Sequence, residues 1–128
     1  RVMFEHLDPA SPTPLYAQLA ERLRAAIAAG DLAPGELLPS VRQLAVRLRL
    51  NPGTVAQAYR DLEAGGLVEL RQGSGTYVRE LTPNRRAAEQ AAVSSRLANE
   101  MLARAVGLGL SGEDLLNALR TALGEKRR

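Results

Sequence analysis

Residues 39–64 constrain the fold of this chain more than any other segment, because they encode two short helices with separate start signals. Ser40 and Gln43, three positions apart, match the pattern of a capping box. Asn51 is a favourable N-cap, and Pro52 stands at a first helical position, where proline is tolerated. Two capped helices separated by a turn of about three residues pack at a steep angle, which allows the second helix to enter a DNA major groove.

The charges of this segment favour contact with phosphate. No acidic residue lies between Glu36 and Asp61, whereas four arginines do: Arg42, Arg47, Arg49 and Arg60. A surface that approaches phosphate excludes carboxylates in this way. The whole chain gives weaker support, since its net charge is only +3 and residues 1–80 hold nine arginines and nine acids.

Composition excludes several classes of protein. With 128 residues, 45% of them hydrophobic, the chain suits one small domain plus an appendage. The lack of cysteine excludes disulfides and thiolate catalysis, and His6, the only histidine, is expected at the surface rather than in a metal site. No nucleophile, base and orienting group can be assembled, and no apolar run approaches the roughly 18 residues of a membrane span. We therefore expect a cytoplasmic, non-enzymatic protein without metal, cofactor or membrane contact.

The first helix and a very short strand precede the two capped helices. Thr13 and Pro14 predict the helix start, and Gly30 predicts its end as a left-handed cap. Apolar residues recur between them at a spacing of four: Leu15, Leu19, Leu23 and Ile27. Leu37 and Leu38 are the candidate strand.

A β-hairpin follows the capped helices. Residues 67–71 and 76–79 alternate apolar and polar side chains on either side of a glycine-containing turn. The order helix, strand, helix, helix, hairpin is that of a winged helix-turn-helix. We assign this domain to residues 13–80, after a lead-in at residues 1–12.

The pattern of residues 81–128 predicts two helices that pair with the same helices of a second chain. The second of these helices begins with a capping box of Ser111 and Asp114. The apolar side chains expected at the dimer contact are Leu97, Met101, Leu102, Val106, Leu115, Leu116, Leu119 and Leu123. Because two helices with apolar faces cannot make a core alone, we favour pairing with a second chain over packing on the chain's own winged domain.

Several consecutive motifs resemble those of the GntR family of bacterial transcription regulators. They are Gly-Glu-Leu-Leu-Pro-Ser-Val-Arg-Gln-Leu-Ala at 35–45, Asn-Pro-Gly-Thr-Val at 51–55, Ala-Tyr-Arg-Asp-Leu-Glu at 58–63, Gly-Gly-Leu-Val at 65–68 and Arg-Gln-Gly-Ser-Gly-Thr-Tyr-Val at 71–78. The start of the third helix, Tyr59 and the short tail resemble the YtrA-like subfamily. The resemblance implies a homodimeric repressor on a palindromic double-stranded DNA operator, with half-sites built around GT and AC. It does not indicate whether a small-molecule effector exists.

The candidate DNA contacts combine the resemblance with helix geometry. The resemblance implies that Arg42 contacts phosphate or guanine. On the third helix, Gly53, Gln57 and Arg60 lie opposite the inward face, and the Gln57 amide can pair with adenine. Small residues at the hairpin tip suit a narrow minor groove. The full set is Ser40, Arg42, Asn51, Gly53, Thr54, Gln57, Arg60, Gly73, Ser74 and Gly75.

Two departures from the family pattern limit what can be carried over. Arg49 stands where the family usually has glycine, and a left-handed backbone there costs arginine about 1 kcal/mol, so the geometry of the turn stays open. Pro52 and Ala56 stand where other branches of the family place arginines. Those base contacts are therefore not expected here.

Three other interpretations remain. A winged helix used for protein contact without DNA binding would need apolar residues on the exposed side of the third helix. An enzyme that holds nucleotide at residues 73–75 would need a helix after its glycines. The third interpretation is a piece of a longer regulator that carries an aminotransferase-like domain. The capped second tail helix and the charged residues 125–128 argue against it, and we expect a complete chain.

Overall fold

The computed structural model describes residues 7–125, which form five α-helices and a two-stranded antiparallel sheet. The helices are α1 (Leu15–Ala29), α2 (Val41–Leu48), α3 (Pro52–Ala64), α4 (Pro83–Gly107) and α5 (Gly112–Ala122), and the strands are β1 (Val68–Arg71) and β2 (Gly75–Val78). The predicted fold class, mainly α with a small hairpin, is confirmed. The chain divides into two compact units, with the boundary in the sequence between Gln90 and Ala91. His6 and the last three residues of the charged end lie outside the described residues.

Helix α1 begins one residue later than predicted. Its N-cap is Pro14, without a side-chain cap, so the predicted Thr13 cap is wrong. The Thr13 carbonyl instead accepts a hydrogen bond from Gln18 Nε2 at 2.8 Å, and the same amide nitrogen donates to the Asp8 carbonyl at 2.9 Å. These bonds hold the lead-in against the first turn. The helix ends as predicted, with Gly30 in the left-handed conformation at φ +85°.

The start signals of α2 and α3 are both confirmed. Ser40 Oγ accepts from the Gln43 amide at 3.0 Å, and Gln43 Oε1 accepts from the Ser40 amide at 2.9 Å. Asn51 Oδ1 accepts from the Gly53 amide at 2.7 Å. Each helix turns one apolar face to the core of the first unit: Leu44 and Ala45 in α2, and Val55, Ala58 and Leu62 in α3.

The turn between α2 and α3 keeps a left-handed residue although that residue is arginine. Arg49 has φ 56° and ψ 44°, the only positive φ of a non-glycine residue in the described chain. The Leu50 amide donates to the Ala45 carbonyl at 2.9 Å, a bond that closes a helix end around a left-handed residue. Leu50 also packs against the core. These contacts offset the cost of the arginine backbone.

The hairpin forms one residue away from its predicted boundaries. Val68 pairs with Val78 and Arg71 with Gly75, so β1 starts after Leu67, and the returning strand lies one residue earlier than expected. The predicted short strand is present as a single bridge between Leu37 and Tyr77. It adds a third backbone segment to the wing.

The start of α4 belongs to the first unit. Leu81 is part of its core. Arg86 Nη1 donates to the Ile27 carbonyl at 2.7 Å and to the Ala28 carbonyl at 3.1 Å, at the end of α1. Arg85 donates in the same way to the Gly65 carbonyl at the end of α3. Both arginines thus donate to backbone carbonyls in the last turns of helices, where partners within the helix run out.

The second unit consists of the rest of α4 and of α5. The capping box at its second helix is confirmed, because Ser111 Oγ accepts from the Asp114 amide at 3.0 Å and Asp114 Oδ2 accepts from the Ser111 amide at 2.9 Å. A Cβ added to Gly112 would lie 3.2 Å from Leu102 Cδ2, so the two helices approach closely here. Ala105 is the only buried side chain among residues 91–125.

Candidate nucleic-acid interface

The burial of α3 separates an inward face from an outward face. Val55, Ala58 and Leu62 are fully buried, as the helical spacing predicted. Gly53 and Arg60 are exposed, and the Thr54 and Gln57 side chains are partly exposed. The orientation predicted for this helix is therefore present, while the contacts of its outward residues with DNA remain predictions.

The start of α2 lies at the surface of the same unit. Ser40 and Arg42 are exposed, and Arg42 occupies the first turn. The first four backbone amides of a helix lack partners within the helix, and the Ser40 side chain satisfies one of them. This helix start, with a guanidinium beside it, can receive a phosphate group.

Asn51 and Gly53 have local roles at the start of α3. The Asn51 side-chain oxygen is engaged in the cap, which leaves its amide nitrogen for any external partner. A Cβ on Gly53 would lie 3.1 Å from Asn51 Oδ1. The absence of a side chain at Gly53 therefore leaves room for the Asn51 cap. It also lets an external group come close to the backbone of α3.

Tyr59 joins the two helices of the helix-turn-helix. Its hydroxyl donates to the Pro39 carbonyl at 2.6 Å, directly before the cap of α2. Burial disfavours the phenolate and raises the pKa of Tyr59 to about 12, with a smaller opposing effect from Arg47. The tyrosine is thus a neutral hydrogen-bond donor that holds the start of α2 against α3.

The wing tip is shaped by its glycines. Gly73 has φ +77°, and the Ser74 amide donates to the Arg71 carbonyl at 3.0 Å across the turn. Gly75 has φ +142°, and a Cβ there would lie 2.7 Å from Leu37 Cδ1. Gly73 and Ser74 are exposed and Gly75 is partly buried, so the first two form the accessible tip.

The sequence interpretation missed Arg71 as a basic side chain of the wing. Its guanidinium lies 4.1 Å from the centre of the Tyr77 ring, and its Nε lies 3.0 Å from Glu69 Oε1. Such stacking fixes an otherwise flexible cation. A basic residue directly before a glycine turn was the available signal.

A second omission concerns the outward face of α3. Gln57, Arg60 and Asp61 form one hydrogen-bonded row. The sequence interpretation used Asp61 as the acidic residue that follows the arginines and as part of the family motif at 58–63, and gave it no role beside Gln57. Its spacing of four from Gln57 is the signal that identifies the pair.

The second unit exposes most of its large apolar side chains. The eight residues predicted for a dimer contact are all exposed or partly exposed, with Leu97 at 54% and Leu123 at 77%. Leu108 and Leu110, which the sequence interpretation missed, are exposed as well. Whether these residues join two chains remains a prediction.

Residues 7–125 contain no cluster of three or more potential side-chain ligands for a metal ion. No helix within the same residues combines the length and apolarity that a membrane span requires.

Comparison with known proteins decides the family. Residues 15–78, half of the chain, match the bacterial regulatory proteins of the gntR family. This chain belongs to the GntR family. Its sequence is 43% identical over 74 residues to the HTH-type transcriptional repressor YtrA of Bacillus subtilis (strain 168), covering 58% of this chain and 57% of YtrA. It is 33% identical over 115 residues to the uncharacterized HTH-type transcriptional regulator YhcF of the same organism, covering 87% of this chain and 91% of YhcF.

Solved structures agree with the assignment. A GntR family transcriptional regulator from Listeria monocytogenes matches with a TM-score of 0.71 and 26% identity, over 89% of this chain and 97% of that one. AraR(DBD) in complex with operator ORX1 matches with a TM-score of 0.52 and 31% identity, over 61% of this chain and 94% of that one. The resemblance to a winged helix-turn-helix regulator is confirmed.

Proposed function

We propose that this GntR-family helix-turn-helix regulator is a cytoplasmic repressor that binds a palindromic DNA operator as a homodimer. Repression is supported by the relative YtrA, a transcriptional repressor to which the chain is 43% identical over 74 residues. DNA binding is supported by the likeness to AraR(DBD), whose structure is that of a complex with an operator. The relatives are regulators, and we assign no catalytic activity to the chain.

The outward face of α3 is the observation that carries DNA recognition. It is polar and small, with Gly53, Thr54, Gln57 and Arg60 on the accessible side. Apolar side chains, which a protein-contact surface would need, are absent from these four positions. The face therefore favours an operator over the alternative of a winged-helix interaction module without DNA binding.

The docking geometry follows from the fold class. We place α3 in the major groove, the start of α2 with Arg42 on the phosphates beside it, and Gly73 and Ser74 in the adjacent minor groove. In a two-fold symmetric dimer, the half-sites then lie about one helical turn, roughly 34 Å, apart.

The exposed apolar side chains of residues 91–125 support the homodimer. Large contiguous apolar surface is unusual in a soluble monomer and marks contact sites. Identical faces on two copies can cover each other in an isologous interface. We therefore assign DNA binding to residues 13–80 and dimerisation to the tail at 81–128, through the part of it that forms the second unit.

Replacement of Arg42 tests the proposed phosphate contact. We expect Arg42→Ala to weaken operator binding and to make the slope of log affinity against log salt shallower by about 1, since one counterion-releasing contact is lost. Fluorescence anisotropy of the full chain on labelled duplex, at four salt concentrations, measures both effects.

Arg104→Ala provides the matched control, because Arg104 is an exposed arginine of α4 in the second unit. This variant should keep both affinity and slope. Equal slopes for Arg42→Ala and the unsubstituted chain would contradict the phosphate contact, and failure of every duplex to bind would favour the interaction module.

A further inference from the structure

Three side chains on the outward side of α3 form a continuous hydrogen-bonded row. Arg60 Nη2 donates to Gln57 Oε1 at 2.8 Å, and Gln57 Nε2 donates to Asp61 Oδ1 at 3.1 Å. Gln57 and Asp61 are both partly buried, whereas Arg60 is exposed. Positions three and four apart are neighbours on a helix surface, so the row is built from local geometry.

The partners of Gln57 determine which way its amide points. A guanidinium only donates hydrogen bonds, and a carboxylate only accepts them. Turning the amide by half a rotation would place its NH₂ group against Arg60 and its oxygen against Asp61, which breaks both bonds. The amide of Gln57 therefore has one orientation. One N–H and one oxygen lone pair remain available to an outside group.

That remaining donor and acceptor match one base better than the others. Adenine presents a donor at N6 and an acceptor at N7 in the major groove, whereas guanine presents two acceptors, O6 and N7. We propose that Asp61 and Arg60 are positioning residues that fix the Gln57 amide in the orientation that selects adenine over guanine. This inference rests on the proposed function.

Asp61 has a second effect with the opposite sign for affinity. Its carboxylate lies beside the face that approaches the DNA, so it repels phosphate and lowers binding to every duplex. The same residue thus lowers affinity and raises selectivity. If the bond between Gln57 and Asp61 only stabilised the helix, removing it would not change the ranking of base pairs. Loss of selectivity at one base pair together with tighter binding to unrelated DNA is therefore specific to the positioning role.

The experiment compares three single variants and one double variant of the full chain on operators taken from a selection among random duplexes. Gln57→Ala first identifies the base pair that Gln57 reads, as the position where preference is lost. In Asp61→Ala, the preference for A·T at that pair should then fall roughly five- to tenfold, while the preferences at other positions stay unchanged. A loss of this size is at the low end of the discrimination that a bidentate contact provides.

Asp61→Asn is the matched control, because it removes the same charge but keeps an oxygen acceptor for Gln57 Nε2. We expect both Asp61 variants to bind random-sequence duplex more tightly, and only Asp61→Ala to lose selectivity. In the Gln57→Ala background, Asp61→Ala should not change the preference further. Circular dichroism melting confirms that each variant is folded.

Two results would overturn the inference while leaving the proposed function standing. One is an unchanged A·T preference in Asp61→Ala, and the other is an equal loss of preference at all positions. If the unsubstituted chain selects no sequence at all, the proposed function fails, and the positioning role fails with it.

Discussion

Arg49 carries a backbone cost that a single substitution should remove. A left-handed conformation costs a non-glycine residue about 1–2 kcal/mol, although glycine loses part of this gain through its more disordered unfolded state. We expect Arg49→Gly to raise the free energy of unfolding by about 0.5–1 kcal/mol, measured by urea denaturation.

The control is Arg47→Gly, in the last turn of α2, where the backbone is helical. Glycine there should lower the stability by about 1 kcal/mol. If both substitutions destabilise the protein, the left-handed geometry of Arg49 carries no strain and the explanation of the turn is wrong.

The buried hydroxyl of Tyr59 makes stability depend on alkaline pH. Its pKa is about 12 in the folded chain and 10.0 for a tyrosine freely exposed to water, so the unfolded chain loses the proton first as pH rises. The stabilisation is therefore complete below pH 10 and is lost between pH 10 and 12, by about 2–3 kcal/mol in total.

Tyr59→Phe tests this dependence. At pH 7 the variant should lose about 1 kcal/mol, because the hydrogen bond to Pro39 is gone. Between pH 10 and 12 its unfolding free energy should fall less steeply than that of the unsubstituted chain. Parallel curves in chemical denaturation would show that Tyr59 does not control this range.

At the scale of the elements, the start of α4 is held by charged hydrogen bonds to helix ends. Arg86 serves two carbonyls at the end of α1, and bonds to charged donors contribute about 1.5–3 kcal/mol. We expect Arg86→Ala to lower the free energy of unfolding by about that amount. Arg104→Ala, at an exposed site of the same helix, should change it by less than about 0.5 kcal/mol. Thermal and urea unfolding measure both variants. If Arg86→Ala and Arg104→Ala change the free energy of unfolding equally, the assigned bonds of Arg86 are wrong.

The elements that the sequence predicted well are those with local signals. Ser40, Asn51 and Ser111 each bond within three residues, so spacing alone identifies the three helix starts. The predicted start of the second strand was one residue too late, because Gly75, at φ +142°, begins β2 instead of closing the turn. The Arg86 bonds had no signal, since their acceptors are backbone carbonyls 59 and 58 positions away.

The candidate site was predictable in its outline but not in its internal contacts. Helical spacing indicated which residues of α3 face outward. The bond between Gln57 and Asp61 follows an ordinary spacing, yet the pairing depends on side-chain conformations that a pattern of residue types does not specify. The same holds for the stacking of Arg71 on Tyr77.

For the whole molecule, the exposed leucines of the second unit predict self-association. Leu97→Glu should raise the dimer dissociation constant at least about tenfold, because an unpaired charge in an apolar interface costs more than about 1.4 kcal/mol. Since Leu97 is 54% exposed, the fold of each chain should persist. Sedimentation equilibrium measures the association.

Val46→Glu is the control for this prediction. Val46 is 74% exposed on α2, in the first unit, where no contact between copies is proposed. Its replacement should leave the dissociation constant unchanged. If Leu97→Glu associates as the unsubstituted chain does, this leucine is not part of a contact between chains.

Selection of bound sequences from random duplexes, with the unsubstituted full chain, tests at once whether α3 recognises DNA and whether two copies bind together. If paired copies present α3 to the major groove, the enriched sequences should contain a palindrome whose half-sites lie about one helical turn apart. Enrichment of single, unpaired half-sites would contradict the dimer. No enrichment over the starting pool would contradict recognition of DNA by α3 itself.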